Sequence, residues 1–207
     1  MWEHRLIWAA GAPSWWDEVW TAAAAALRGR APEDRPDTYL VLPDRPDVGL
    51  KLRGREGALE MKVRHAARDG WELWEKIPFF AWNDLEAARF AVLLERDLPA
   101  APIDTAVTPA AGVKALLSRA QISWRETTVT KTRMQGRAGD LVPAWAPTGV
   151  APEWLAEIVV FDGAGPTARS ICFETMAPEA SVAGSIPGAG RARSAGYPEF
   201  LIGALTP

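Results

Sequence analysis

Lysine, arginine and glutamate recur at every second position in several short runs of this 207-residue chain. The densest run spans 47–64, DVGLKLRGREGALEMKVR, with two alternating segments at 50–53 and 59–64 joined by a polar loop that holds Gly54 and Gly57. Successive side chains of a strand point to opposite faces, so Lys51 and Arg53 share one face and Leu50 and Leu52 the other. In the second segment Glu60, Lys62 and Arg64 lie opposite Leu59, Met61 and Val63. The same parity in other runs adds Arg5, Lys76, Arg125, Lys131 and Arg133 to the cations. It adds Glu3, Glu72, Glu157 and Glu174 to the acids.

A charged sheet face ordinarily sits in water. Two features point instead to the lining of a hollow. The opposite faces are apolar and rich in tryptophan, as helices covering the outside of a curved sheet require. The charged face also persists through about seven strands, which in a closed sheet gives a polar, side-chain-lined interior. Nine cations facing one hollow repel each other unless a multiply charged anion binds there. Phosphate oxygens match guanidinium forks and ammonium groups. Glutamates in the same hollow suit Mg²⁺ or Mn²⁺, hard ions that prefer oxygen.

The elements that must position these residues follow from periodicity. Residues 2–8 alternate, with Glu3, Arg5 and Ile7 opposite Trp2, His4, Leu6 and Trp8, and His4 reads as a packed histidine on the apolar side. Ser14 offers an N-cap to a first helix carrying Trp16, Val19, Trp20 and Ala23, closed by Gly29. A loop is expected at 31–36, a strand at 38–42 (TYLVL), and another alternating strand at 71–77 that Pro78 stops. His65 reads as a loop or strand-end residue. In the 71–77 strand Trp74 shares parity with Glu72 and Lys76 and could touch a ligand.

Asn83 and Glu86 form a capping box for a second helix with Leu85, Ala88, Val92 and Glu95 along one side and Phe90, Leu93 and Leu94 widening the apolar stripe. A break is expected at 99–102. Thr108 and Pro109 start a third helix that buries Val113, Leu116 and Leu117. Residues 123–134 read as a strand and 136–152 as a connection. A hairpin follows, with strands at 155–162 and 168–176 that put Glu157, Cys172 and Glu174 on the charged side. The remainder, from Ala177, is small-residue-rich and irregular, with a short final helix at 198–205. The expected organisation is one domain over 1–207, its core within 1–176, of α+β class: an antiparallel β-barrel or tunnel with a charged interior and helices packed outside.

Composition bounds the function. Hydrophobic residues make up 48% and charged residues 24%, and the net charge is −3, so any basic site must be local and balanced by acid elsewhere. One cysteine excludes an internal disulfide and suits a reducing compartment. With two histidines besides it, Cys/His zinc chemistry is disfavoured, and no histidine partner marks Cys172 as a nucleophile. No apolar run is long enough to span a bilayer, so a cytoplasmic protein with no membrane partner is expected. A nucleic-acid role is disfavoured by the pI of about 5.5.

In sequence order, these motifs resemble the CYTH superfamily, the triphosphate tunnel metalloenzymes. The 38–44 segment resembles the family's tyrosine strand, Lys51 and Arg53 its Arg-x-Arg pair, Glu60 and Lys62 its glutamate–lysine pair, and Lys131 and Arg133 its late basic pair. Glu157 and Glu174 fall where late glutamates are expected. Met1 stands at the first glutamate of the opening motif, leaving Glu3 and Arg5, and Val159 stands where a second late acid is expected.

The resemblance implies binding of a triphosphate or related organic phosphate by Arg5, Lys51, Arg53, Lys62, Arg64, Lys76, Arg125, Lys131 and Arg133. Lys62 and Arg133 would be catalytic, offsetting charge that develops on the phosphoryl group. Glu3, Glu157 and Glu174 would hold Mg²⁺ or Mn²⁺ for hydrolysis of a phosphoanhydride, and Glu60 and Glu72 would pair with neighbouring cations. The alternative is a non-catalytic nucleotide- or polyphosphate-binding module with a degraded metal site.

Overall fold

Alternation at 2–8 forms strand β1 (Trp2–Trp8), and its apolar side sets the first of two hydrophobic cores. The structure, a computed structural model, describes residues 1–9, 11–27, 32–53, 58–95, 107–141, 149–163, 165–178, 182 and 185–205. After β1 come α1 (Trp16–Ala26), β2 (Glu33–Val41), β3 (Val48–Arg53), β4 (Ala58–Arg68), β5 (Trp71–Phe79), α2 (Asp84–Leu93) and α3 (Pro109–Arg119). Then follow β6 (Arg125–Arg137), α4 (Ala138–Leu141), β7 (Leu155–Asp162), β8 (Ala168–Thr175), β9 (Arg193–Ser194) and α5 (Tyr197–Leu205).

The strands hydrogen-bond in the order β5-β4-β3-β2-β6-β7-β8-β1-β9, and a further pairing of β5 with β1 closes the sheet on itself. The result is an eight-strand antiparallel barrel with helices packed around it, the α+β class expected from the alternation. No helix among the described residues is long and apolar enough to cross a membrane.

Residues divide between two compact units, each with its own core. The first comprises 1–36, 65–74 and 129–196. There Leu6 and Trp8 of β1, Met134 of β6, Ile158 of β7 and Ile171 and Phe173 of β8 pack with Trp16, Val19 and Ala23 of α1. The second comprises 37–64, 75–128 and 197–207. There Leu40, Leu50, Leu59 and Met61 pack with Phe90 of α2 and Val113 and Leu117 of α3. In both cores the apolar parity of the strands meets a helix, as a one-sided sheet demands.

Several boundaries differ from the sequence reading. Ser14 does not cap α1: the N-cap position is Trp15, without a side-chain hydrogen bond. β2 starts at Glu33, where a loop was expected, and includes Pro36. Pro78 does not stop β5, which runs on to Phe79, and His65 lies inside β4. Gly136 belongs to β6 rather than to a connection.

In α2 the Asn83 side chain accepts from the Glu86 amide at 2.9 Å. The buried face of that helix is Ala87, Phe90 and Leu94, whereas Leu85 and Val92 are exposed. α3 begins as expected, Thr108 Oγ1 accepting from the Ala111 amide, and buries Val113 and Leu117. The final segment is not wholly irregular: β9 pairs with β1, and α5 extends the expected helix by one residue. Gly29, Gly54, Gly57 and the break at 99–102 lie outside the described residues.

Candidate functional site

In the first unit the site is set by register. Across β1 and β8, Glu3 stands opposite Glu174, Arg5 opposite Cys172 and Ile7 opposite Ser170. Across β8 and β7, Cys172 stands opposite Glu157 and Ser170 opposite Val159. Across β7 and β6, Val159 stands opposite Arg133 and Phe161 opposite Lys131. On the other side of β1, Glu3 stands opposite Glu72 of β5. Directly paired residues share a face, so one continuous face carries all of these side chains. The other face carries the tryptophan-rich core. Glu3, Arg5, Glu72, Lys131, Glu157 and Glu174 are all at least nine-tenths buried.

Glu157 is the hub of the cations. Arg5 donates through Nη1 to Glu157 Oε1 at 3.0 Å and to Ser170 Oγ at 3.4 Å. Arg133 donates through Nη1 to Glu157 Oε2 at 3.3 Å, and through Nε to Glu33 Oε2 at 3.0 Å. Burial alone would raise the Glu157 pKa, but Arg5, Lys131 and Arg133 outweigh it and hold the carboxyl well below the usual range. Burial opposes the charge on Arg133 as well, and its hydrogen bond to Glu33 leads the contributions that leave its pKa raised. Buried charge of this kind persists only when paired and hydrogen-bonded. Both carboxylate oxygens of Glu157 therefore face guanidinium groups.

Glu3 and Glu174 lie beside this hub on the same face, two residues along β1 and β8 from Arg5 and Cys172. One donor atom each from Glu3, Cys172 and Glu174 lie within 4.8 Å of one another, and all three residues are buried. Arg5 Nη2 is 3.8 Å from Glu3 Oε2. Glu72 accepts from Trp74 Nε1 at 3.1 Å. Burial pushes the Cys172 thiol pKa well up, and Glu3, Glu174 and Glu157 add to the rise against Arg5, so the group is a neutral thiol. A cavity of about 530 Å³ beside Glu174 is lined also by Met1, Trp154, Leu155 and Met176.

A divalent metal of the kind the resemblance implies fits this donor set. Like charges directly opposed across two strands repel, and Mg²⁺ is commonly held by one or two carboxylates, with waters and substrate phosphates completing its shell. Glu3 and Glu174 supply such a pair.

The second unit carries its own charged face. Tyr39 of β2 stands opposite Lys51 of β3, which stands opposite Glu60 of β4, and Gly49 stands opposite Lys62. Lys51 Nζ lies 2.6 Å from the fully buried Asp37 carboxylate and 5.7 Å from the Tyr39 ring centre. Arg53 Nη2 donates to both Glu60 oxygens, at 3.0 and 2.9 Å. Arg64 pairs with Glu199 of α5 at 3.2 Å. Lys76 and Arg125 are exposed.

The structure thus places Glu3, Arg5, Lys131, Arg133, Glu157 and Glu174 on one face of the first unit, and Lys51, Arg53, Lys62 and Arg64 on one face of the second. Sequence reasoning missed Glu33, Asp37 and Ser170. Asp37 has the parity of Tyr39 and was findable, but Pro36 hid the start of β2. Ser170 shares the parity of Cys172 and Glu174, a signal that charge-counting passes over.

No protein-family model matches the chain, and no curated protein matches it. Among solved structures the chain is similar to a Bacillus halodurans protein described as an adenylate cyclase candidate, at 12% identity and TM-score 0.40, over 85% of this chain and 81% of that one. It is similar to an adenylyl cyclase candidate from Hippeastrum described as having a dominant triphosphatase activity, at 11% identity and TM-score 0.40, over 86% and 80%. It is also similar to the PH1012 protein of Pyrococcus horikoshii, at 12% identity and TM-score 0.43, over 95% and 98%. In this chain the charge-bearing strands follow one another around a closed antiparallel sheet, from Glu3 on β1 through Lys51, Glu60, Lys131 and Glu157 to Glu174 on β8.

Proposed function

We propose that this protein binds a triphosphate or related organic phosphate through its charged barrel faces and hydrolyses a phosphoanhydride with the help of a divalent cation. The observation that carries the reading is the array of buried Arg5 and Lys131 and half-buried Arg133 around the buried Glu157. Two guanidinium groups are held in place by one carboxylate, with Lys131 close enough to act on it electrostatically, so a phosphate meets cations that are already oriented. Glu157 in this reading spaces the cations, while Glu3 and Glu174 hold Mg²⁺ or Mn²⁺. Such an ion, when bound, draws charge from phosphate oxygens and eases attack by water.

Arg133 offsets charge on the phosphoryl group from β6. Lys51, Arg53, Lys62 and Arg64 offer a cationic face to the same class of ligand, with Lys62 in the catalytic role the family resemblance gives it. Lys76 and Arg125, both exposed, are left to the outer parts of an organic phosphate. The cavity beside Glu174, with Met1, Trp154, Leu155 and Met176 on its wall, suits an apolar portion of such a ligand.

A second reading is a binding module without turnover. It is favoured by the engagement of Glu157 with Arg5 and Arg133, which leaves two carboxylates rather than three for the metal. Phosphate release from a panel of triphosphates, with and without Mg²⁺ or Mn²⁺, separates the two. Metal-stimulated release that is lost in Glu3→Gln supports hydrolysis, and tight binding without release supports the module. Neither binding nor release overturns both.

A further inference from the structure

Arg133 is held by two carboxylates, and the second of them, Glu33, is the exposed one. Glu33 and Arg35 lie two residues apart on β2 and so share a face, and β2 is hydrogen-bonded beside β6 in the sheet. One oxygen of Glu33, Oε2, accepts from both Nε and Nη2 of Arg133, from Nε at 3.0 Å. The other, Oε1, accepts from Arg35 Nη1 at 3.2 Å. The carboxylate thus bridges two guanidinium groups. One residue along each strand, Thr132 Oγ1 donates to Asp34 Oδ1 at 2.7 Å and ties β2 to β6 beside the bridge.

Guanidinium forks take carboxylate and phosphate oxygens with the same geometry, so a seat built for one accepts the other. The Nε and Nη2 fork of Arg133 is occupied by Glu33, while Nη1 is turned to Glu157. A phosphate that takes this fork must displace Glu33. Exposure makes that exchange feasible at Glu33 and not at Glu157: the Glu33 side chain is 47% exposed, that of Glu157 only 10%. An exposed ion pair is weak and its carboxylate returns to water readily, whereas removing Glu157 would strand Arg5 and Arg133 together. A multiply charged phosphate also attracts two guanidinium groups more strongly than one carboxylate does. We infer that Glu33 is a built-in competitor for the phosphate site, and that a phosphate takes its place between Arg133 and Arg35, which makes Arg35 a phosphate-binding residue. The inference rests on the reading of this charged face as a phosphate site and adds how access to it is regulated. Only hydrogen-bond partners are exchanged: Glu33 swings into solvent with its charge, and no covalent bond changes.

The test is a calorimetric titration of inorganic triphosphate, without metal, into the full chain as wild type, Glu33→Gln and the double variant Glu33→Gln/Arg35→Met, with thermal melts to show that each is folded. A neutral amide holds a guanidinium group less firmly than a carboxylate does, so Glu33→Gln should bind roughly tenfold more tightly than the wild type. The double variant should bind roughly tenfold more weakly than Glu33→Gln, through loss of one charged contact. Glu33→Ala, expected to tighten binding in the same direction, serves if the amide disturbs the start of β2. The sign of the change is decisive, because a Glu33 that merely orients Arg133 would make binding weaker when removed. Equal or weaker binding by Glu33→Gln and Glu33→Ala, with a wild type that binds, overturns the competitor and leaves the phosphate site standing. Equal affinity in the single and double variants overturns the role of Arg35. No binding by any of the proteins overturns the phosphate site itself and this inference with it.

Discussion

His4 shows how one residue separates the two faces of β1. Its neighbours Glu3 and Arg5 face the charged side, while its ring is wholly buried and meets Trp71 edge-on at 5.2 Å between ring centres. Neither ring nitrogen has a well-formed hydrogen bond. Burial lowers the pKa from 6.5 to about 4, and a glancing contact with the Gly70 backbone offsets part of the drop. The folded protein therefore keeps His4 neutral while the unfolded chain protonates it. Stability is full above pH 6.5, falls as the pH drops from 6.5 towards 4, and levels off below that. The loss from this residue is about 3 kcal/mol. Denaturant midpoints measured across that range should show the slope in the wild type and a reduced slope in His4→Phe. An equal slope in both would assign the pH dependence to other groups.

At the scale of elements, the fold depends on close approach between helices and the sheet's apolar parity. Gly112 of α3 faces Trp82 so closely that a Cβ there would lie 2.1 Å from Nε1. Overpacking of this kind displaces side chains and backbone. Gly112→Ala should lower stability by about 1–3 kcal/mol, read as a shift of the denaturant midpoint. Trp82→Phe in the same background should recover part of it. Elements were legible wherever one short-range rule dominated. The Asn83 cap, the Thr108–Pro109 start and the hairpin of β7 and β8 were all readable because each depends on residues within a few positions. The misreadings have a common cause. Pro36 and Pro78 read as breakers, but both sit in strands, where proline forgoes only its own amide hydrogen bond. In α2 Phe90 and Leu94 are buried as expected, but Leu85 and Val92, apolar and at helical spacing, are exposed and Ala87 is buried instead, a choice that tertiary packing alone makes.

At the scale of the whole molecule, one binary pattern does two jobs. Apolar residues of each strand bury against helices, in two cores that share the design. Charged residues of the same strands are left on the opposite face, where pairing makes their burial tolerable. The charged parity was legible from the amino-acid sequence, because alternation states which side chains share a face. The pairing was not, because Arg5 and Glu157 are separated by 152 residues and meet only through the register of β1, β8 and β7. The cluster of Glu3, Cys172 and Glu174 was hidden for the same reason: Glu3 and Cys172 lie at opposite ends of the chain. The central claim is that this charged face binds phosphate. Its most direct test is a calorimetric titration of inorganic triphosphate into the wild type and into Lys131→Met, with thermal melts to show that the variant folds. Losing a charged contact is worth ~1.5–3 kcal/mol, so the wild type should bind and the variant should bind roughly tenfold more weakly or worse. No binding by the wild type, or equal affinity in a folded variant, would contradict the account.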